Sequence, residues 1–169
     1  MAAHDVGQAL TFRGKCWKFG DNVPTDEMGE FFAQEVGNVL AGLNPRFPVE
    51  VKPGDIVVGG HSFGQSSGRA LAAKVLRATG ISCIVVESAA RTFWRNCIEI
   101  GLPILECPGV SKLVEDGDEI VVDIEQGVVL NPATGAVART EPPDDFLRDM
   151  LRAGGLIPFV RARPELWGA

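Results

Sequence analysis

Residues 10–19 set apolar positions against basic ones in near alternation, Leu-Thr-Phe-Arg-Gly-Lys-Cys-Trp-Lys-Phe, the period of a strand with one buried face. Leu10, Phe12 and Phe19 are its core candidates. Gly20 to Asp26 is polar and turn-rich. Beyond it, Met28, Phe31, Phe32, Val36, Val39 and Leu40 recur mostly at spacings of three and four, which predicts a helix over 27–40 with Thr25 or Asp26 as its cap. Residues 42–54, with three prolines, read as a connection.

The pattern then shortens. Residues 55–59 and 81–86 are β-branched runs, and between them residues 69–79 are rich in helix formers and stop at Gly80, so the three form a βαβ unit with parallel pairing. A further helix is expected over 88–98, ending near Gly101, and a third strand over 103–107. After that the style changes: 119–123, 128–130 and 136–139 are short strands separated by glycine-containing turns, which predicts a small antiparallel piece. Pro142-Pro143 breaks it from a helix over 144–152, capped by Asp144 or Asp145 and closed by Gly154-Gly155. Length and composition point to one α/β domain over 1–169, since 46% hydrophobic and 22% charged residues are ordinary for a soluble protein with a sizeable core.

A formal charge of −6 without a basic stripe disfavours nucleic acid as the main partner. No run approaches the ~18 apolar residues of a membrane span and no signal-like start precedes the first strand, so a soluble, cytoplasmic protein is expected. Cys16, Cys83, Cys97 and Cys107 are scattered. Their spacing spells neither a zinc ribbon nor an iron–sulfur site, and buried reduced thiols are the ordinary reading.

The candidate chemistry sits between the strand at 55–59 and the helix that follows, in Gly59-Gly60-His61-Ser62-Phe63-Gly64-Gln65-Ser66-Ser67-Gly68-Arg69. A glycine-rich loop feeding a helix gathers free N–H groups and the positive end of the helix dipole, which favours a bound carboxylate or phosphate. Arg69, expected in the first helical turn, would add a bidentate clamp. Gly60 to Gly64 also matches G-x-S-x-G, the nucleophile elbow of serine hydrolases. That chemistry needs a histidine after Ser62, whereas the two histidines are His4 and His61. His61 reads better as part of a hydrogen-bonded framework than as a base. The P-loop pattern Gly-Lys-Ser/Thr does not occur.

Three separated blocks carry a family resemblance. Asp21-Asn22-Val23-Pro24-Thr25-Asp26 matches Asp-Asn-x-x-Thr-Asp. Gly54-Asp55, the strand after it and Ser62-Phe63-Gly64-Gln65-Ser66-Ser67-Gly68-Arg69-Ala70 are similar to Gly-Asp, strand, Asn-Phe-Gly-x-Gly-Ser-Ser-Arg-Glu. Residues 87–96, Glu-Ser-Ala-Ala-Arg-Thr-Phe-Trp-Arg-Asn, with Gly101-Leu102, answer a third block. In this order they resemble the small subunits of the aconitase superfamily, those of isopropylmalate dehydratase and homoaconitase. The resemblance implies the swivelling β/β/α three-layer domain, and a hydro-lyase active only as a hetero-oligomer with a large subunit. That partner carries a [4Fe-4S] cluster, so no metal ligand is expected in this chain. It implies Ser67 as the base that takes a proton from the carbon beside a carboxylate, and Arg69 as the holder of a substrate carboxylate. Gln65, Ser66 and Gly68 would stand beside the substrate, and Asp21, Asn22, Thr25 and Asp26 are turn residues or a wall of the site.

The departures bear on substrate. Gly68 stands where the family has its second serine, Ser66 replaces a glycine, and Ala70-Leu71 replaces Glu-His. If the register slipped by one residue, Ser66 would take the role of Ser67. The Ile-Ile-Pro and arginine-bearing stretch that follows the first block in the isopropylmalate and homoaconitate enzymes is missing. The expected substrate is therefore a small hydroxy-dicarboxylate of malate or methylmalate type, within a class that includes isopropylmalate. A non-catalytic binding or regulatory module on the same fold is the first rival, and a serine hydrolase using Ser62 the second. Arg91 and Arg95, four apart on one helical face, suit surface or interface ion pairs as well as substrate. Trp17, Trp94 and Trp167 are core or interface residues by default.

Overall fold

The computed structural model describes residues 9–29 and 38–167. Strands β1 (Thr11–Lys18), β2 (Ile56–Gly59), β3 (Cys83–Val86), β4 (Ile104–Glu106), β5 (Glu119–Asp123), β6 (Val128–Asn131) and β7 (Ala136–Arg139) form one sheet in the order β4-β3-β2-β1-β5-β6-β7. β1 to β4 are mutually parallel, and β1, β5, β6 and β7 pair antiparallel. The first strand is thus the seam between the two halves. It meets β2 through residues 16–18 and β5 through residues 11–15.

The helices are α1 (Phe47–Glu50), α2 (Leu71–Ala78), α3 (Arg91–Glu99), α4 (Val110–Leu113), α5 (Asp145–Arg152) and α6 (Leu156–Arg161). The four-residue α4 touches β2, β3 and β7 together. In a flat sheet β2 and β7 would be ~19 Å apart, four strand spacings, and a single helical turn could not reach both. The sheet is therefore curled, its halves forming two β layers, with α2, α3, α5 and α6 packed on one another as the helical layer.

β2 and β3 are buried at every position, as strands covered on both faces must be. β5 alternates, with Ile120 and Val122 inside. Beneath β1, Trp17 is fully buried, meets Phe47 edge-on with centroids 5.4 Å apart, and donates its indole N–H to Asp55 at 2.8 Å. The same carboxylate oxygen accepts the backbone N–H of Lys52 at 3.0 Å, so this buried acid is satisfied by two donors. Leu10 and Phe19 join the core as expected, while Phe12 is half-buried against it.

Several expectations change. The helix over 27–40 is replaced at its start by a single 3-10 turn, Thr25–Met28, and residues 39–43 are turns; its middle, 30–37, lies outside the described residues. Neither Thr25 nor Asp26 is a cap: Pro24 holds that position with no side-chain bond. α2 begins at Leu71 rather than 69, with Ala70 as N-cap, so Arg69 precedes the helix. The connection 42–54 contains α1, and α4 and α6 are additional. Asp144 does cap α5, accepting from Leu147 N–H at 2.9 Å. Gly154 and Gly155 follow α5 with φ of 85° and 115°, a region open to glycine. No described helix is long and apolar enough to cross a membrane.

Candidate functional site

Because β1 to β4 run parallel, the segments that follow them emerge at one edge of the sheet: 19–26 after β1, 60–70 after β2, 87–90 after β3 and 107–109 after β4. The carboxyl edge of parallel strands is the usual place for a ligand. It collects the blocks singled out in the sequence.

The first block is stitched to the loop. Gly60 N–H donates to Gly20 O at 3.0 Å, Asn22 N–H to His61 O at 2.7 Å, Gly64 N–H to Val23 O at 2.8 Å and Thr25 N–H to Gln65 O at 2.8 Å. Side chains extend the seam: His61 N–H donates to Asp21 Oδ1 at 2.7 Å, Gln65 Nε2 to Asn22 O at 3.0 Å and Ser67 N–H to Thr25 Oγ1 at 3.0 Å. Of the four wall candidates, Asp21 and Asn22 hold the loop from behind, whereas Thr25 and Asp26 line a cavity with Ser67, Arg69, Leu71 and Ala72. Its volume is about 280 Å³.

The third block braces the loop from the other side. Ser88 accepts Ser62 N–H on its Oγ and Phe63 N–H on its carbonyl, both at 3.0 Å, and Ala90 N–H donates to Phe63 O at 2.8 Å. Asn96 donates Nδ2 to Gly68 O at 3.2 Å. Phe63 packs on Phe93 with ring centroids 5.8 Å apart. Gly64, at φ 80°, leaves the space that the Phe93 side chain occupies. Sequence reasoning did not single out Ser88 or Asn96 as site residues. Both lie inside the block quoted for the resemblance, but nothing local says that their side chains reach back to the loop.

Ser67 is the centre of the polar contacts. Its Oγ accepts the backbone N–H of Arg69 at 3.2 Å and the guanidinium Nε of Arg69 at 3.0 Å. The donors that converge on this hydroxyl are therefore the loop's own N–H and the Arg69 side chain, not the first N–H groups of α2. Ser66 is exposed with φ 93°, a conformation that suits glycine and strains an L-residue. That is what position 66 should show if it occupies the family's glycine. Gln65 and Gly68 are exposed on the same loop. Arg91 and Arg95 are exposed too, but border a separate depression with Ala89, Trp94 and Glu106.

Ser62 also has positive φ, 55°, yet eight residues separate it from the first residue of α2. A nucleophile elbow passes directly from serine into helix. The side chain of His61 is exposed and its backbone groups make the framework bonds. His4 lies outside the described residues, as does the side chain of Trp167.

Beside the loop, Glu87 is buried. It accepts Gly109 N–H at 2.6 Å, Ser111 N–H at 2.8 Å and the Ser111 hydroxyl. Burial pushes this carboxyl up, but the hydrogen bonds from Ser111 and Gly109 outweigh it and the net shift is downward. Among the described residues no group of three His, Cys, Asp or Glu could hold a metal. The four cysteines are separate and buried, and burial raises their pKa, that of Cys16 to about 11.

The aconitase C-terminal domain matches residues 38–108. The isopropylmalate/citramalate isomerase small subunit of Methanocaldococcus jannaschii is 41% identical over 165 residues, 89% of this chain and 94% of that one. The chain belongs to the aconitase family of dehydratase small subunits. Within that family, a 3-isopropylmalate dehydratase small subunit of Archaeoglobus fulgidus is 43% identical over 159 residues, covering 90% and 98% of the two chains. The fold agrees as well: a crystal structure of 3-isopropylmalate dehydratase from M. jannaschii superposes with a TM-score of 0.83 at 28% identity, over 94% of this chain and 98% of the other.

Proposed function

We propose that this chain is the small subunit of a hydro-lyase that, with a large subunit carrying a [4Fe-4S] cluster, adds water to or removes it from a small hydroxy-dicarboxylate. The observation that carries the reading is the Ser67 hydroxyl, held by two N–H donors of Arg69 at the mouth of a cavity. A serine hydroxyl is a very weak base. Its alkoxide becomes accessible only where oriented N–H groups and positive charge stabilise it, and these two donors supply both.

In this reading Ser67 takes the proton from the carbon next to a carboxylate, and the guanidinium of Arg69 fixes that carboxylate. Leu71 and Ala72 add apolar lining to the same cavity, which suits a small alkyl branch on the substrate. The relatives' names, isopropylmalate and citramalate, are of this kind. The cysteines of this chain are separate and buried and form no cluster-binding set among the described residues, so in this reading the cluster belongs to the partner.

The test is steady-state kinetics of the complex reconstituted with a cluster-bearing large subunit. Malate, methylmalate and isopropylmalate would be followed by the ultraviolet absorbance of the unsaturated product. Ser67→Ala should lower kcat by at least ~100-fold, the scale of a lost general base. Wild-type turnover in Ser67→Ala would refute the base assignment. Loss in Ser66→Ala instead would shift the register by one residue. A complex that turns over no dicarboxylate would leave the non-catalytic module as the better account.

A further inference from the structure

We infer that Thr25 and Asn96 are positioning residues that hold Ser67 in line with Arg69; this rests on the reading of Ser67 as the base. Residues 65–69 belong to no helix or strand beyond an isolated bridge at Gln65, four of the five are exposed, and Ser66 carries a positive φ. The local contacts of Ser67 Oγ with Arg69 N–H and Nε, at 3.2 and 3.0 Å, tie these two residues to each other but not to the body of the fold. Something must fix the peptide that bears it.

Two side chains do so from opposite directions. Thr25, only 3% exposed, comes from the turn after β1 and uses Oγ1 to accept the N–H of Ser67 itself, at 3.0 Å. Asn96, 8% exposed, comes from the inner face of α3 and uses Nδ2 to hold the carbonyl of Gly68, at 3.2 Å. The two bonds bracket the Ser67–Gly68 unit. Thr25 is itself fixed by its N–H on Gln65 O at 2.8 Å, and Thr92, one turn before Asn96, leaves Gly68 in close packing, with a Cβ placed there meeting Thr92 Cγ2 at 3.3 Å. Asn96 does not line the cavity, and although Thr25 does, its Oγ1 is engaged by the N–H of Ser67. They act by removing the freedom of Ser67, and a displacement of ~1 Å at a reacting group costs on the order of 100-fold in rate.

The experiment compares Thr25→Val, which keeps the shape but removes the acceptor, with Thr25→Ser, which keeps the oxygen, in the reconstituted complex. We expect kcat to fall at least tenfold in Thr25→Val with KM within threefold, and Thr25→Ser to stay within threefold of wild type. The deciding arm repeats Thr25→Val in the Ser67→Ala background, where a residue acting through Ser67 should change the residual kcat less than twofold. An equal loss in both backgrounds, tracking a lower melting temperature, would show a merely structural role and overturn the inference. Should Thr25→Val fail to fold, Asn96→Ala carries the same comparison, because the carbonyl it frees belongs to the exposed Gly68 and can be hydrated. If Ser67→Ala is inactive while Thr25→Val or Asn96→Ala keeps full turnover, the clamp fails and the base assignment stands. If Ser67→Ala is fully active, the base assignment itself fails.

Discussion

Replacing Glu87 by glutamine tests whether the buried carboxylate at the end of β3 is an electrostatic clasp on the segment that starts α4. Its Oε2 accepts Gly109 N–H, and its Oε1 accepts the N–H and hydroxyl of Ser111. Glutamine offers one acceptor oxygen and turns the other position into a donor facing a donor. One charge-assisted bond is lost, worth about 1.5–3 kcal/mol, and a donor-to-donor contact is added, so Glu87→Gln should destabilise by about 2–4 kcal/mol at pH 7. The pH dependence has a definite sign. Because the folded carboxyl is held below 4.5, its contribution is complete above the unfolded value of about 4.3 and is lost as the pH falls through the folded value. Protonated Glu87 then resembles glutamine. Urea unfolding of both proteins at pH 7, 5, 4 and 3 should show the gap between their midpoints closing below about pH 4.5; other carboxylates titrate in both chains and cancel in the difference. A gap that is under ~1 kcal/mol at pH 7, or that stays constant down to pH 3, would refute the reasoning.

Two further substitutions probe the loop. Arg69→Lys keeps the charge but loses the planar fork and the Nε that donates to Ser67, so KM should rise roughly tenfold or more, read by steady-state kinetics in the reconstituted complex; an unchanged KM would remove Arg69 from substrate binding. Gly64→Ala puts a Cβ into the Phe93 side chain at a φ of 80°, and overpacking together with the left-handed backbone should destabilise by about 2–4 kcal/mol, measurable as a lowered thermal midpoint.

Much of the scaffold could be read along the chain because its signals are local. The βαβ unit from β2 to β3 announces itself by β-branched runs around a helix-forming stretch. The antiparallel strands β5, β6 and β7 show by the turns between them, and α5 by the aspartate that caps it. The blocks at 21–26, 62–70 and 87–96 could be recognised as one family pattern before their spatial relation was known. The apolar spacing over 27–40 misled at its start, since turn geometry at Thr25–Met28 won over a periodicity that a short window supplies easily.

What the linear order did not contain is how those blocks meet. That β1 serves both halves of the sheet, and that Thr25 reaches Ser67 while Asn96 reaches Gly68, are contacts between segments far apart in the chain. Such contacts leave no periodic trace, because each depends on where a whole strand or helix has been packed. The placement of Arg69 before α2, rather than inside it, belongs to the same class. Within the loop the contact of Ser67 Oγ with Arg69 is local, two residues apart, whereas the bonds that tie this pair to the rest of the fold come from Thr25 and Asn96, on segments that the linear order keeps apart.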